Sequence, residues 1–215
     1  MPERSLTDTK VWQKGIRHLK KSDPVIARII DRVGRVKFEL DDDHYEALVG
    51  SIIFQQLAGS AAQAILNRFK QIYGGRIPKP REYLATDVER LRGSGLSPQK
   101  ISYLKDLSER LENGTLDLKR LENVSDEEAV RELDNVRGIG RWTAEMFLMF
   151  KLGRTDVLPV DDLGLQKAAK RAYRLRKLPS RDRFLQLGRN WHPYSSIATL
   201  YLWRSQEKPR APAKW

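Results

Sequence analysis

Apolar residues recur every three or four positions along most of this chain, and that helical period predicts nearly all of its elements. Ser22-Asp23-Pro24 reads as a cap with proline in the first turn, opening a helix toward Gly34. Val36 to Leu40 alternates in part and predicts a brief extended link. Asp41-Asp42-Asp43 offers an N-cap to a mostly apolar helix carrying Tyr45, Leu48, Val49, Ile52, Ile53 and Phe54. The stripe Ala61, Ala64, Ile65, Phe69 and Ile72 predicts a helix from Ser60 to Tyr73, ended by Gly74-Gly75. Thr86-Asp87-Val88-Glu89 and Ser125-Asp126-Glu127-Glu128 both have the spacing of a capping box. The first opens a short helix that ends at Gly93-Ser94-Gly95, and Ser97-Pro98 opens the next, running to Gly114. Helices from Thr143 to Leu152, Leu163 to Tyr173, Arg181 to Gly188 and Tyr194 to Trp203 complete the pattern. The expectation is an all-α protein of about ten helices with short loops, no long repeat and no clear interdomain linker. The folded part is expected to span residues 1–203, and the basic segment Arg204 to Trp215, with two prolines, is expected to be flexible.

One segment breaks the helical pattern. Leu133-Asp134-Asn135-Val136-Arg137-Gly138-Ile139-Gly140-Arg141-Trp142-Thr143-Ala144 predicts a tight glycine hairpin leading into a helix, and Pro159-Val160-Asp161-Asp162 follows it after one apolar helix. The glycines let the backbone turn tightly and approach a ligand closely, while Ile139 can plug the turn into the core. Backbone N–H groups at a helix N-terminus, aided by the dipole, favour an anion. A lone Gly-x-Gly is more often an ordinary corner between helices. Likewise an aspartate before a helix is most often an N-cap, so on these residues alone a catalytic role for the Asp161-Asp162 pair is the lesser reading. Trp142, Trp191, Tyr194 and Trp203 are core residues by default, but their concentration beside the hairpin also suits an aromatic pocket. Phe54-Gln55-Gln56-Leu57 ends an apolar helix as a plain polar terminus or as two amides with an apolar wedge able to enter a base stack.

Charge shifts these balances. Among 215 residues, Lys and Arg number 40 and Asp and Glu 28, a net +12. Such an excess speaks for a polyanionic partner, DNA or RNA before an anionic membrane surface. No stretch approaches the ~20 apolar residues of a membrane span. No secretory signal is expected behind Met1-Pro2-Glu3-Arg4-Ser5. The absence of cysteine excludes disulfides, thiolate nucleophiles, zinc–thiolate sites and iron–sulfur clusters, and His18, His44 and His192 show no ligand spacing.

These motifs together resemble the helix-hairpin-helix (HhH-GPD) DNA glycosylases, and most nearly the 3-methyladenine DNA glycosylase II (AlkA) type in a compact form. The resemblance runs from about Ser22 to Trp203, and Leu91-Arg92-Gly93-Ser94-Gly95-Leu96-Ser97 and Trp191-His192-Pro193-Tyr194 through Trp203 keep the family's order and spacing. It implies two helical lobes with an active-site cleft between them, and hydrolysis of the N-glycosidic bond of alkylated purines in double-stranded DNA. Residue by residue, it implies Asp162 as the catalytic carboxylate and Trp142, Trp203, Phe54 and Met146 as the base pocket. Leu57 with Gln56 would be the wedge. Arg137, Gly138, Gly140, Arg141 and Thr143 would hold DNA phosphate. The carbonyls of Asp134, Val136 and Ile139 would bind a monovalent cation (Na+ or K+), with no other cofactor required. Trp142 occupies the position of the Schiff-base lysine of endonuclease III-like relatives, which implies a glycosylase without AP lyase activity. Arg137 stands where the family often has proline, and Met146 where a relative has an aromatic. A monomer is expected, in the nucleoid or cytoplasm of a prokaryote or the nucleus of a eukaryote. The alternatives are a non-catalytic helix-hairpin-helix DNA-binding protein and a glycosylase for oxidised or deaminated bases.

Overall fold

The computed structural model describes residues 5–36, 38, 40 and 43–206. Among the described residues there are twelve α-helices and no strand. They are α1 (Thr9–Ser22), α2 (Pro24–Val33), α3 (His44–Phe54), α4 (Gly59–Gln71), α5 (Pro80–Leu84), α6 (Val88–Gly93), α7 (Pro98–Glu112), α8 (Asp126–Asp134), α9 (Arg141–Phe150), α10 (Leu163–Ala172), α11 (Arg181–Gly188) and α12 (Ser195–Arg204). A 3-10 turn, Arg120–Glu122, precedes α8. No helix is long and apolar enough to cross a membrane among the described residues.

Caps set most of these boundaries. Asp8, Asp23, Asp43, Asp87, Ser97, Ser125, Asp162 and Ser180 each accept a backbone N–H of the helix that follows. Such caps satisfy amides that have no intrahelical partner. Two expectations shift here. The Thr86 box is replaced by Asp87, whose carboxylate takes the N–H groups of Glu89 and Arg90, while the Thr86 hydroxyl turns back to the Glu82 carbonyl. At α8 only half of the box forms, because the Glu128 carboxylate is drawn to Arg120. The extended link expected at Val36–Leu40 forms no strand at Val36, Phe38 or Leu40; among the described residues a β-bridge pairs Ser5 with Arg154. The helices α1 and α5 carried no sequence expectation. The flexible tail expected from Arg204 onward gives Arg204 to α12 and Ser205-Gln206 to a turn, and the rest lies outside the described residues.

The chain divides into two compact units, one of residues 1–40 and 148–215 and the other of residues 41–147, the division falling within α9. The terminal unit packs α1, α2, α10 and α12 around Leu19, Ile26, Leu165, Phe184, Trp191 and Ile197, all fully buried. Its polar anchor is the buried Asp23. One carboxylate oxygen caps α2, and the other accepts the Tyr173 hydroxyl at 2.5 Å and the Trp191 indole N–H at 3.0 Å. Burial, with the adjacent Asp23 charge, pushes the Tyr173 hydroxyl well above its ordinary pKa. The central unit builds its core from α3, α4 and α7 around Leu48, Ile52, Ile53, Phe69, Leu104 and Leu107.

Candidate nucleic-acid and catalytic sites

The glycine hairpin lies in the central unit. It begins where α8 ends, with the Val136 N–H on the Leu133 carbonyl and the Ile139 N–H on the Val136 carbonyl, both at 3.0 Å. Val136 and Ile139 are buried at 1% and 2% exposure, so the turn is plugged into the core while Gly140 stays exposed. Gly138 has φ +81°, and a Cβ there would fall 2.1 Å from the Tyr103 ring. Both facts require glycine. An open concavity of about 550 Å³ is lined by Asp134, Arg137, Gly138, Gly140 and Thr143 among others, which groups most of the residues expected to hold phosphate.

One face of α7 braces the hairpin. Lys100, Tyr103 and Asp106 follow at intervals of three, the spacing of neighbours on a helix. Tyr103 closes on Gly138, and Asp106 accepts the Arg137 N–H at 3.0 Å and the Arg110 guanidinium at 2.8 Å. Burial raises the Asp106 carboxyl, but those donors outweigh it and hold the group below its ordinary pKa. Lys100 Nζ donates to the Ile53 carbonyl at 2.6 Å and the Gln55 carbonyl at 3.0 Å, a cation placed at the negative end of α3. Desolvation lowers its pKa.

Immediately beyond that end lies the expected wedge. Gln55 Nε2 donates to the Gly138 carbonyl at 2.6 Å and ties the segment to the hairpin. Gln56 follows in the left-handed region at φ +57°, a costly conformation for a side chain with a Cβ, and Leu57 is 39% exposed. Strained backbone presenting an apolar side chain to solvent, next to the tied Gln55, suits a residue that must enter something.

The expected phosphate arginines differ in state. The Arg137 side chain is 68% exposed and lies 3.8 Å from Asp106. Arg141 instead makes a two-pronged pair with Glu127 at 3.0 and 3.1 Å and a further bond to the buried Glu145, and the Glu127 bond raises its pKa. Its fork braces the start of α9. Trp142, one turn before the half-buried Met146 on α9, is 49% exposed and does not join the core; Phe54, at the end of α3, is 37% exposed.

In the terminal unit, the Asp161-Asp162 pair is split by function. Asp161 is exposed and pairs with Arg181 at 2.6 Å. Asp162 is the N-cap of α10: its Oδ1 accepts the Leu165 N–H at 2.5 Å and, on the same atom, the Trp203 indole N–H at 3.0 Å. The Gln166 amide ties the preceding loop through the Val160 carbonyl at 2.8 Å. Trp203 in turn stacks on Phe150, with ring centroids 6.2 Å apart and planes at 17°. Phe150 stacks on Phe38 at 5.9 Å, and Phe38 on Trp12 at 6.4 Å. The carboxylate is thus oriented by a helix end and by an indole that an aromatic stack holds in place.

Trp191 is the core residue it is by default, fully buried with its indole N–H on Asp23, and takes no part in an aromatic pocket. Residues that sequence reasoning missed are Gln55 as a tie, Lys100, Tyr103, Asp106 and Phe150. Lys100 had a legible signal: a cation in the first turn of a helix opposes that helix's dipole and so requires another partner.

Comparison with known proteins places this geometry. Residues 49–193 match the model of the HhH-GPD superfamily base excision DNA repair proteins. DNA-3-methyladenine glycosylase 1 of Schizosaccharomyces pombe is 36% identical over 207 residues, covering 92% of this chain and 91% of that protein. The crystal structure of a DNA-3-methyladenine glycosidase from Bacillus halodurans superposes with a TM-score of 0.84 at 36% identity, covering 94% of this chain and 90% of the other. The S. pombe 3-methyladenine DNA glycosylase Mag1 in complex with abasic DNA gives 0.77 at 36% identity, covering 89% and 95%. With the family model spanning more than half of its length and both units built as described, the chain belongs to the HhH-GPD superfamily of base excision DNA repair proteins.

Proposed function

We propose that this protein is a monofunctional DNA glycosylase that releases alkylated purines, such as 3-methyladenine and 7-methylguanine, from double-stranded DNA and leaves an abasic site. The observation that carries the reading is Asp162, oriented by the Leu165 N–H and the Trp203 indole, in a chain over a third identical to proteins named for that activity. A base inside a duplex is out of reach, so the nucleotide must leave the stack, at a cost of a few kcal/mol. Leu57, with Gln56, fills the vacated space. The hairpin residues Arg137, Gly138, Gly140 and Thr143 hold phosphate. Trp203 and Trp142 offer aromatic faces to an electron-poor base, with Phe54 and Met146 as lesser apolar contacts.

An N-alkylated purine carries positive charge and leaves readily. As the C1′–N bond breaks, its electron pair stays with the base and positive charge grows on the sugar. The Asp162 carboxylate stabilises that charge, water oxygen bonds to C1′, and the proton that water loses passes to bulk solvent, leaving a neutral base and an abasic sugar. Strand cleavage by a lyase needs an amine to form a Schiff base, and an indole at 142 cannot supply one. The hairpin carbonyls of Asp134, Val136 and Ile139 are hard oxygen donors of the kind Na+ or K+ prefers. The Val136 oxygen, which accepts the Ile139 N–H, has a second lone pair for it. Such an ion would add positive charge beside a phosphate. The protein would act as a monomer wherever genomic DNA lies, in nucleoid or nucleus.

One observation favours a binding-only protein: Asp162 does cap α10, as an aspartate with no chemistry would. Incubation with methylated duplex DNA and chromatography of the released bases separates the readings. Asp162→Asn keeps the cap, because Asn caps as well as Asp. Release of 3-methyladenine or 7-methylguanine by the wild type and not by the variant supports catalysis. No release from any alkylated duplex, with DNA binding intact, leaves a DNA-binding protein.

A further inference from the structure

The proposed reaction uses the N-terminus of α10. At the other end of that helix, about 15 Å away for ten residues at 1.5 Å each, four arginines surround a separate pocket of about 480 Å³. Helix α2 supplies Val25, Arg28, Ile29 and Arg32, spaced i, i+3, i+4, i+7 on one face. The last turn of α10 adds Arg171, the loop after it Arg174, and the chain beyond α12 adds Ser205 and Gln206. All four arginines are exposed. Arg171 donates to the Gln206 side-chain oxygen at 2.6 Å.

Three features set this cluster apart from an ordinary basic surface. Among the described residues no carboxylate lines the pocket and none of the four arginines is ion-paired. By contrast, Arg76 sits on Glu82, Arg110 on Asp106 and Arg181 on Asp161. Second, Arg28 and Arg32 lie one helical turn apart and repel each other. Arg32 and Arg171, in last turns, gain from the helix dipole, but Arg28 in mid-helix and Arg174 outside α10 do not. Third, Arg174 holds φ +53° at a helix exit where glycine or asparagine is the usual choice. The turn, closed by the Leu175 N–H on the Lys170 carbonyl at 2.9 Å, has no need of an arginine.

We infer that this pocket binds phosphate groups, those of a DNA backbone that continues past the lesion. Guanidinium forks match phosphate oxygens two at a time, and the Gln206 amide, which gives one hydrogen to Ser205 Oγ at 3.0 Å, has a second as a neutral donor. The volume exceeds what one phosphate fills and admits a short run of sugar–phosphate. The inference rests on the DNA-glycosylase reading for its source of phosphate only.

The test compares full-length wild type with Arg28→Gln/Arg174→Gln, a pair of exposed substitutions far from Asp162. Affinity for undamaged duplexes of 12 and 30 base pairs is measured across a salt series, with pyrophosphate titration and base release from methylated DNA as parallel readouts. Removing one arginine–phosphate interaction should lower the slope of log K against log[salt] by about one. The expected result is a slope about two units shallower on the longer duplex, little change on the shorter one, and unchanged single-turnover base release. Pyrophosphate binding abolished in the variant, with both DNA slopes unchanged, would overturn DNA as the source and make this a site for free phosphate. Unchanged DNA slopes and unchanged pyrophosphate binding would overturn the site altogether. Absence of base release by the wild type would fail the glycosylase reading without touching these slopes.

Discussion

The hairpin in the central unit and the Asp162 region in the terminal unit are built on opposite plans. The hairpin is mostly backbone. Its shape comes from a glycine at φ +81° and buried Val136 and Ile139, and it is braced from outside by Tyr103, Asp106 and Gln55. The Asp162 region is one side chain, oriented by its own helix and by Trp203. Gripping an anion of fixed geometry calls for many weak, rigidly placed donors, so a distributed frame serves it. Stabilising charge at one atom calls for a single well-oriented carboxylate. Damage to the first should therefore appear in affinity and stability, and damage to the second in rate alone.

The sharpest way to break the hairpin is Gly138→Ala. The new Cβ would meet the Tyr103 ring and sit in the left-handed region, for a loss of about 2–4 kcal/mol of stability. Thermal melting should fall by several degrees, and affinity for abasic DNA should fall with it; a variant that melts and binds like wild type would refute the bracing. Leu57→Ala tests the wedge. Because Leu57 is 39% exposed the fold should be untouched, while base release slows roughly tenfold for want of a filler in the vacated stack. Restoration of the rate when the lesion is already unpaired would locate the defect in flipping.

In the terminal unit, Trp203→Phe keeps an aromatic ring and deletes one hydrogen bond to Asp162. A bond to a charged acceptor contributes about 1.5–3 kcal/mol, so a roughly tenfold or greater slowing of single-turnover release is expected, with abasic-DNA affinity unchanged. A loss of affinity without a loss of rate would reassign Trp203 to binding. The smallest effect is expected from Arg137→Gln, which should lower the salt slope of DNA binding by about one and leave the rate at saturating enzyme alone.

The two regions also differ in how much of them the sequence made legible. The hairpin could be read because its constraint is local: two glycines flank an apolar plug, and a helix follows. The caps at Asp23, Asp43, Ser97, Ser125 and Asp162 were legible for the same reason, since each acts within four residues of itself. What escaped was tertiary. Lys100 bonds carbonyls 45 and 47 residues away, and the Gln55 amide reaches across 83. No periodicity encodes such partners, although a lysine in a helix's first turn hints that one exists. The aromatics show the same limit. Composition grouped Trp191 with Trp142 and Trp203, and only packing separates the fully buried Trp191 from the 49% exposed Trp142. The capping box at Thr86 failed because Asp87, one residue on, is the better acceptor for the same amides.

The central claim is that recognition and chemistry are separable between these two regions. It is tested most directly by measuring single-turnover base release and abasic-DNA affinity side by side for Asp162→Asn and Gly138→Ala. The account predicts that Asp162→Asn lowers release by at least about 10²-fold at wild-type affinity and stability, while Gly138→Ala weakens affinity and melts earlier. Wild-type release by Asp162→Asn would contradict it and leave Asp162 as a helix cap and nothing more.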